Sequence, residues 1–126
     1  MSEEQIQRQI CNYISTFYPD IIFLSDLSGI KLSMYQAKKI RDLKSCRGIP
    51  DLLILEPRNN YHGLLIEIKK DGVRVLKKDG KVPKNEHLKE QWKVINNLRL
   101  KGYYATFGIG YAHTKKIIDD YFNQKK

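Results

Sequence analysis

Apolar residues recur at a helical period near the start of the chain. Ile6, Ile10, Ile14 and Phe17, with Tyr13 beside them, form one stripe at ~100° per residue and predict an amphipathic helix over residues 3–17. Pro19 ends it. Ile21-Ile22-Phe23-Leu24 reads as a short strand, followed by a turn over residues 25–29. Residues 32–44 predict a second, basic helix. Its stripe through Leu32, Tyr35, Ile40 and Leu43 is patchy, so it suits a partner surface as well as a core. The period then shortens. Residues 48–55 and 64–69 are leucine- and isoleucine-rich runs of strand length, and the turn formers of residues 57–63 lie between them, predicting an antiparallel hairpin that turns near Asn59–Asn60. A helix over residues 85–100 follows, with Asn85 as its N-cap, Leu88, Trp92, Ile95 and Leu98 facing the core and Gln91 beside that face. Lys101-Gly102 stops it, residues 103–109 form a strand, and residues 114–122 close the chain as a helix through Ile117, Ile118, Tyr121 and Phe122. The order α-β-α-β-β-α-β-α predicts an α/β fold with a mixed sheet flanked by helices. At 126 residues the chain is long enough for one domain, spanning residues 1–126.

The two central strands end in charge, where a core strand has little use for it. A hairpin turning near Asn59–Asn60 brings Asp51 beside the Glu67–Lys69 stretch, and alternation puts Glu67 and Lys69 on the face opposite Ile66 and Ile68. Two carboxylates and an ammonium then converge at one end of a small sheet, in the outline of a metal-and-phosphate site. Asp and Lys also end strands as solubilising residues, and that reading stands beside the first. Glu3 poses a similar choice: it lies on the apolar stripe of the first helix, where it either complements the helix dipole or delivers a third acid, whereas Glu4 points to the side.

Composition narrows the choice. Lys and Arg exceed Asp and Glu to give a net charge of +9, which suggests a polyanionic partner, nucleic acid before others. The basic residues flank the acidic positions: Lys31, Lys38, Lys39, Arg41, Lys44 and Arg47 precede Asp51, and Lys70, Arg74, Lys77, Lys78, Lys81 and Lys84 follow Lys69. Cys11 and Cys46 form no C-x-x-C pair and read as reduced thiols, and His62, His87 and His113 show no metal-ligand spacing. No apolar run reaches membrane-spanning length, and the polar, acidic N-terminus is unlike a secretory signal, so a cytoplasmic location with no membrane partner is expected.

These pieces, taken in order, resemble the virus-type replication-repair nuclease (VRR-NUC) domain, a branch of the PD-(D/E)xK nuclease superfamily. Ser2-Glu3-Glu4-Gln5-Ile6 looks like the family's acidic helix start. Arg47-Gly48-Ile49-Pro50-Asp51-Leu52 is similar to its G-x-P-D-L segment, and Gly63-Leu64-Leu65-Ile66-Glu67-Ile68-Lys69-Lys70 to its G-L-x-x-E-x-K strand. His87-Leu88-Lys89-Glu90-Gln91, then Trp92, Leu98 and Gly102-Tyr103, look like its glutamine helix and following strand, and residues 108–121 fit its ending. The stretch between Lys70 and Asn85 is longer and more lysine-rich than the tight link of that pattern.

The resemblance implies a restriction-endonuclease-like core and Mg²⁺-dependent phosphodiester hydrolysis, with Mn²⁺ able to substitute. Asp51 and Glu67 would ligate the ion, with the Ile68 carbonyl and Glu3 as further ligands, Lys69 and Gln91 would serve the reacting water, and Lys38, Lys39, Arg41, Lys44, Arg47, Lys70, Lys77, Lys78 and Lys81 would carry DNA. A compact stand-alone form, as in phage and prophage members acting in a bacterial host, implies a homodimer working on branched DNA such as four-way (Holliday) junctions in replication, recombination or repair. Two other classes compete: a basic DNA- or junction-binding module that does not cut, and an RNA-binding or anti-nuclease protein, which would need exposed aromatics on a sheet face.

Overall fold

The computed structural model describes residues 1–26, 31–76 and 85–123. Among these, the elements run α1 (Glu3–Phe17), β1 (Phe23–Ser25), α2 (Met34–Asp42), β2 (Leu52–Ile54), β3 (Leu64–Lys69), α3 (Glu86–Leu100), β4 (Tyr104–Ile109) and α4 (Gly110–Asn123). The order is the one that the hydrophobic pattern predicts.

The sheet is ordered β1-β2-β3-β4. Its first three strands are antiparallel, and β4 lies parallel to β3. Each relation has a local cause. The β2–β3 connection turns at Asn59 and Asn60, which take φ values of 52° and 70°. Positive φ at both central positions suits a tight hairpin turn, and asparagine tolerates it better than other side chains do. Arg58 and Tyr61 close that turn with reciprocal backbone hydrogen bonds of 3.2 and 2.8 Å, and Asn59 Nδ2 donates to the Tyr121 carbonyl at 3.2 Å, tying the turn to α4. A parallel pair cannot be joined by a tight turn, and α3 supplies the crossover between β3 and β4. The Asn85 side chain caps α3 by accepting from Leu88 N at 2.9 Å.

Helices cover both faces of the sheet. On one, Ile6, Ile10 and Ile14 of α1 and Ile118 and Tyr121 of α4 pack on Leu52, Ile54, Leu64, Ile66 and Ile68. On the other, Leu88 and Ile95 of α3 pack with Leu65, Ala105 and Phe107. Central β3 is buried along its whole length, so its odd-numbered residues Glu67 and Lys69 are held out of water on the α3 side.

The structure departs from the sequence reading in several places: the runs read as 32–44 and 48–55 are regular only over Met34–Asp42 and Leu52–Ile54. Strand β1 starts at Phe23, leaving Ile21 and Ile22 outside the ladder. Helix α4 begins at Gly110 rather than at residue 114, directly out of β4, and Thr114 Oγ1 donates to the Gly110 carbonyl at 2.7 Å. Gly110 reads as a break after the strand, and no capping side chain precedes the helix to correct that impression. Phe17 is 65% exposed and not on the buried stripe; its ring instead packs on Tyr13 with centroids 4.9 Å apart. Helix α2 buries none of its residues, which fits its patchy apolar pattern. Of the basic stretch after Lys70, residues 77–84 lie outside the described residues.

Candidate active site

Register builds the site. Leu52 pairs with Ile66 across β2 and β3, so the next position along sets Asp51 against Glu67. Asp51 accepts a hydrogen bond on Oδ2 from the Ile68 backbone N–H at 3.0 Å, and its carboxyl also hydrogen-bonds that of Glu67. Asp51, Glu67, Lys69 and Gln91 are all buried, at 4–7% exposure. They line one end of a cleft of about 730 Å³ together with Glu3, Arg41, Lys44, Arg47 and His87. Asp51, Glu67, Lys69, Gln91 and Glu3, chosen from sequence, are therefore brought together by helices α1 and α3, strand β3 and the loop before β2.

The approach of that loop to α3 depends on Gly48. Its φ is +83°, and a Cβ there would stand 3.0 Å from the Glu90 and Gln91 backbone. Glycine alone meets both conditions without strain, and so the loop carrying Asp51 rests directly on the helix turn carrying Gln91.

The electrostatics are those of two carboxyls crowded together out of water. Burial, the hydrogen bond that protonated Glu67 donates to Asp51 and the Asp51 charge push the Glu67 pKa up to about 11; Lys69 pulls it back, and Glu3 raises it further. Gln91 Oε1 is buried with no hydrogen-bond partner, and an unmatched buried acceptor costs roughly 1–3 kcal/mol. Two adjacent oxygen ligands and an unsatisfied acceptor suit a hard divalent cation, and Mg²⁺ binds through one or two carboxylates, keeping several waters. Among the described residues no group of three or more His, Cys, Asp or Glu side chains gathers closely enough to hold a metal by itself, so a cation bound here would draw its carboxylate donors from Asp51 and Glu67. Glu3 opens α1 behind its Ser2 cap and lines the cleft, whereas Glu4 is turned to Arg8, 3.4 Å away.

One solved structure, described as a "VRR_NUC domain protein", is similar to this chain at 26% identity and a TM-score of 0.66, over 96% of this chain and 88% of that one. The chain has the fold of a VRR-NUC domain. No protein-family model matches the sequence, and neither does any curated protein.

Within the VRR-NUC fold the basic residues separate into two groups. Arg41, Lys44 and Arg47 line the cleft, and Lys44 is ion-paired with Asp26. Lys38 and Lys39 stand on the open face of α2, the first 3.1 Å from Asp42 and the second 4.5 Å from the centre of the Tyr35 ring. Lys70 is exposed immediately beyond Lys69. Lys77, Lys78 and Lys81 fall outside the described residues. His87 is the cleft residue that the sequence reading passed over. Its Nε2 lies 3.2 Å from Gln91 Nε2; the four-residue spacing of the two on one helix is the sequence signal for the contact.

Proposed function

We propose that this chain is a Mg²⁺-dependent DNA endonuclease that hydrolyses phosphodiester bonds, with Mn²⁺ able to substitute, selective for branched DNA and working as a homodimer. The observation that carries the reading is the buried, hydrogen-bonded Asp51–Glu67 pair with Lys69 beside it. Asp51 and Glu67 would hold the ion, with the Ile68 carbonyl and, through water, Glu3 completing the set. A divalent cation there supplies Lewis acidity, making water a stronger acid and offsetting charge that builds on the phosphoryl oxygens.

The chain's own groups do the rest. Lys69, kept out of water with its charge near Glu67, directs the attacking water or stabilises the transition state. The unpartnered Gln91 Oε1 accepts a hydrogen bond from that water or from the Lys69 ammonium. Arg41, Lys44 and Arg47 lie where phosphates would enter the cleft, and Lys38, Lys39 and Lys70 extend the cationic surface, so affinity falls steeply with salt. An RNA-stacking platform lacks its requirement among the described residues: of the eight tyrosines, only Tyr35 on α2 is exposed, and the exposed sheet residues are aliphatic.

Purified protein assayed with Mg²⁺ or Mn²⁺ against linear, nicked, flap, splayed-arm and four-way-junction DNA tests the proposal. Metal-dependent cutting that favours the branched substrates is expected. Tight binding of junctions with no cutting under either metal would leave only the basic DNA-binding module.

A further inference from the structure

The cleft holds one polar contact that neither the metal ligands nor the phosphate-tracking cations explain. Gln91 is one helical turn after His87 on α3, and their Nε2 atoms are 3.2 Å apart. Gln91 is buried while His87 is exposed at the cleft wall. Exposure removes core packing as the reason for the histidine. The carboxamide nitrogen can only donate, so the ring nitrogen facing it must accept, and an imidazole accepting at Nε2 carries its proton on Nδ1. The same contact decides which end of the amide is left over. With the –NH₂ group engaged by His87, Oε1 is the atom left buried and unpartnered.

We propose that His87 is a positioning residue for the Gln91 carboxamide: by accepting from Nε2 it keeps Oε1, rather than the –NH₂ group, available as an acceptor beside Asp51, Glu67 and Lys69. The inference rests on the nuclease reading above for its consequence, but not for its geometry. Two polar ends of an amide are nearly equal in shape, so packing alone cannot choose between them; a neighbour with a lone pair can. A donor in place of that lone pair would bond Oε1 and turn the –NH₂ group inward, where it would repel an ammonium and offer nothing to a water proton.

Two measurements test it. Long-range ¹H–¹⁵N spectra of the metal-free protein near pH 8 should show His87 protonated on Nδ1, with a hydrogen-bonded Gln91 side-chain amide that loses its shift in His87→Ala. A ring protonated on Nε2 would overturn the proposal whether or not the protein cuts DNA. In single-turnover cleavage, His87→Ala should slow the cutting step by about ten- to a hundredfold, the scale of a misplaced catalytic group, with DNA affinity and Tm unchanged. His87→Gln places an acceptor near the Nε2 position and should recover most of the rate; His87→Arg, a donor only, should not. The His87→Ala/Gln91→Ala pair should be no slower than Gln91→Ala alone. Full additivity, or equal rates for the Gln and Arg variants, would show that His87 acts otherwise. Absence of metal-dependent cutting by the unaltered protein would sink the nuclease reading, and the spectra would still decide the amide's orientation.

Discussion

At Glu67, burial and the Asp51 carboxyl raise the pKa from an ordinary value of 4.5 to about 11. Without a cation, the folded chain therefore holds a proton that the unfolded chain has released. The stability linked to this group is fully present below its ordinary value and is lost progressively as pH climbs toward the raised one. Thermal melts in chelator should show Tm falling between about pH 5 and about pH 9, with a flatter profile for Glu67→Gln. Mg²⁺ should raise the Tm of the unaltered protein at the alkaline end and leave Glu67→Gln nearly unmoved; an equal rise in both would place the ion elsewhere. In the proposed reaction the same pair of carboxyls sets the chemistry. Asp51→Asn or Glu67→Gln should abolish cutting while DNA affinity holds or improves, because a charge that repels phosphate is gone. Lys69→Ala should lose rate by orders of magnitude with affinity little changed. Near-normal cutting by either carboxyl variant would mean that the reaction happens at another place in the cleft.

At the scale of elements, Gly48 is where a loop meets a helix. An alanine there must adopt a left-handed backbone, at a cost of about 1–2 kcal/mol, and must also push away the Glu90–Gln91 backbone 3.0 Å from its Cβ. Gly48→Ala should lower Tm and reduce cutting by more than the lost stability accounts for, because Asp51 and Gln91 are spread apart; an unchanged melt and rate would show the close approach to be incidental. The proposed phosphate track runs along α2 and the loop after it, where Arg41, Lys44 and Arg47 line the cleft. Replacing Arg41 and Arg47 together should reduce the slope of log affinity against log salt by roughly one for each phosphate no longer neutralised, whereas an unchanged slope would move the track to the stretch bearing Lys77, Lys78 and Lys81. These elements differ in how far they could be read from sequence. The hairpin was legible because Asn59–Asn60 is a local signal for the turn, and the Asp51–Glu67 pairing followed from its register. Helix α3 announced itself through Asn85 and its 3.6-residue period. The start of α4 did not, since Gly110 looks like a break until Thr114 and the end of β4 are seen together. Nor could the period of α3 show that Gln91 would be buried: that depends on Gly48 arriving from another part of the chain. The His87–Gln91 pair is local: a histidine four residues before a glutamine on one helix sets a hydrogen-bond acceptor within reach of the amide.

For the molecule as a whole, the argument for a two-fold pair turns on the surface beside the edge strand β1. Tyrosine supplies little free surface: Tyr18, Tyr61, Tyr104 and Tyr111 pack against the α1/α4 core, Tyr121 is buried in it, Tyr103 packs on the α3 side, and Tyr35 on α2 is the one exposed tyrosine among the described residues. Beside β1 the exposed apolar surface is aliphatic. Ile22, Leu24 and Leu55 are 60–69% exposed. Ile22 accepts from Leu55 N at 2.9 Å and Leu24 pairs with Leu53, so alternation puts all of these on the side of β1–β2 toward α3, on the part of the sheet bordered by the edge strand β1. Cutting a four-way junction symmetrically takes two active sites on opposing strands, and a two-fold pair is the simplest assembly that presents them. The homodimer proposed here is expected to use this aliphatic face. Light scattering should give twice the 14.8 kDa chain mass, and Leu24→Lys, an exposed change that the fold can tolerate, should give the single mass. The variant should still nick simple substrates under Mg²⁺ while losing the paired cuts on a junction labelled on each strand in turn. A monomer that cuts junctions on both strands as well as the unaltered chain would defeat the dimer and leave the Asp51–Glu67 chemistry standing.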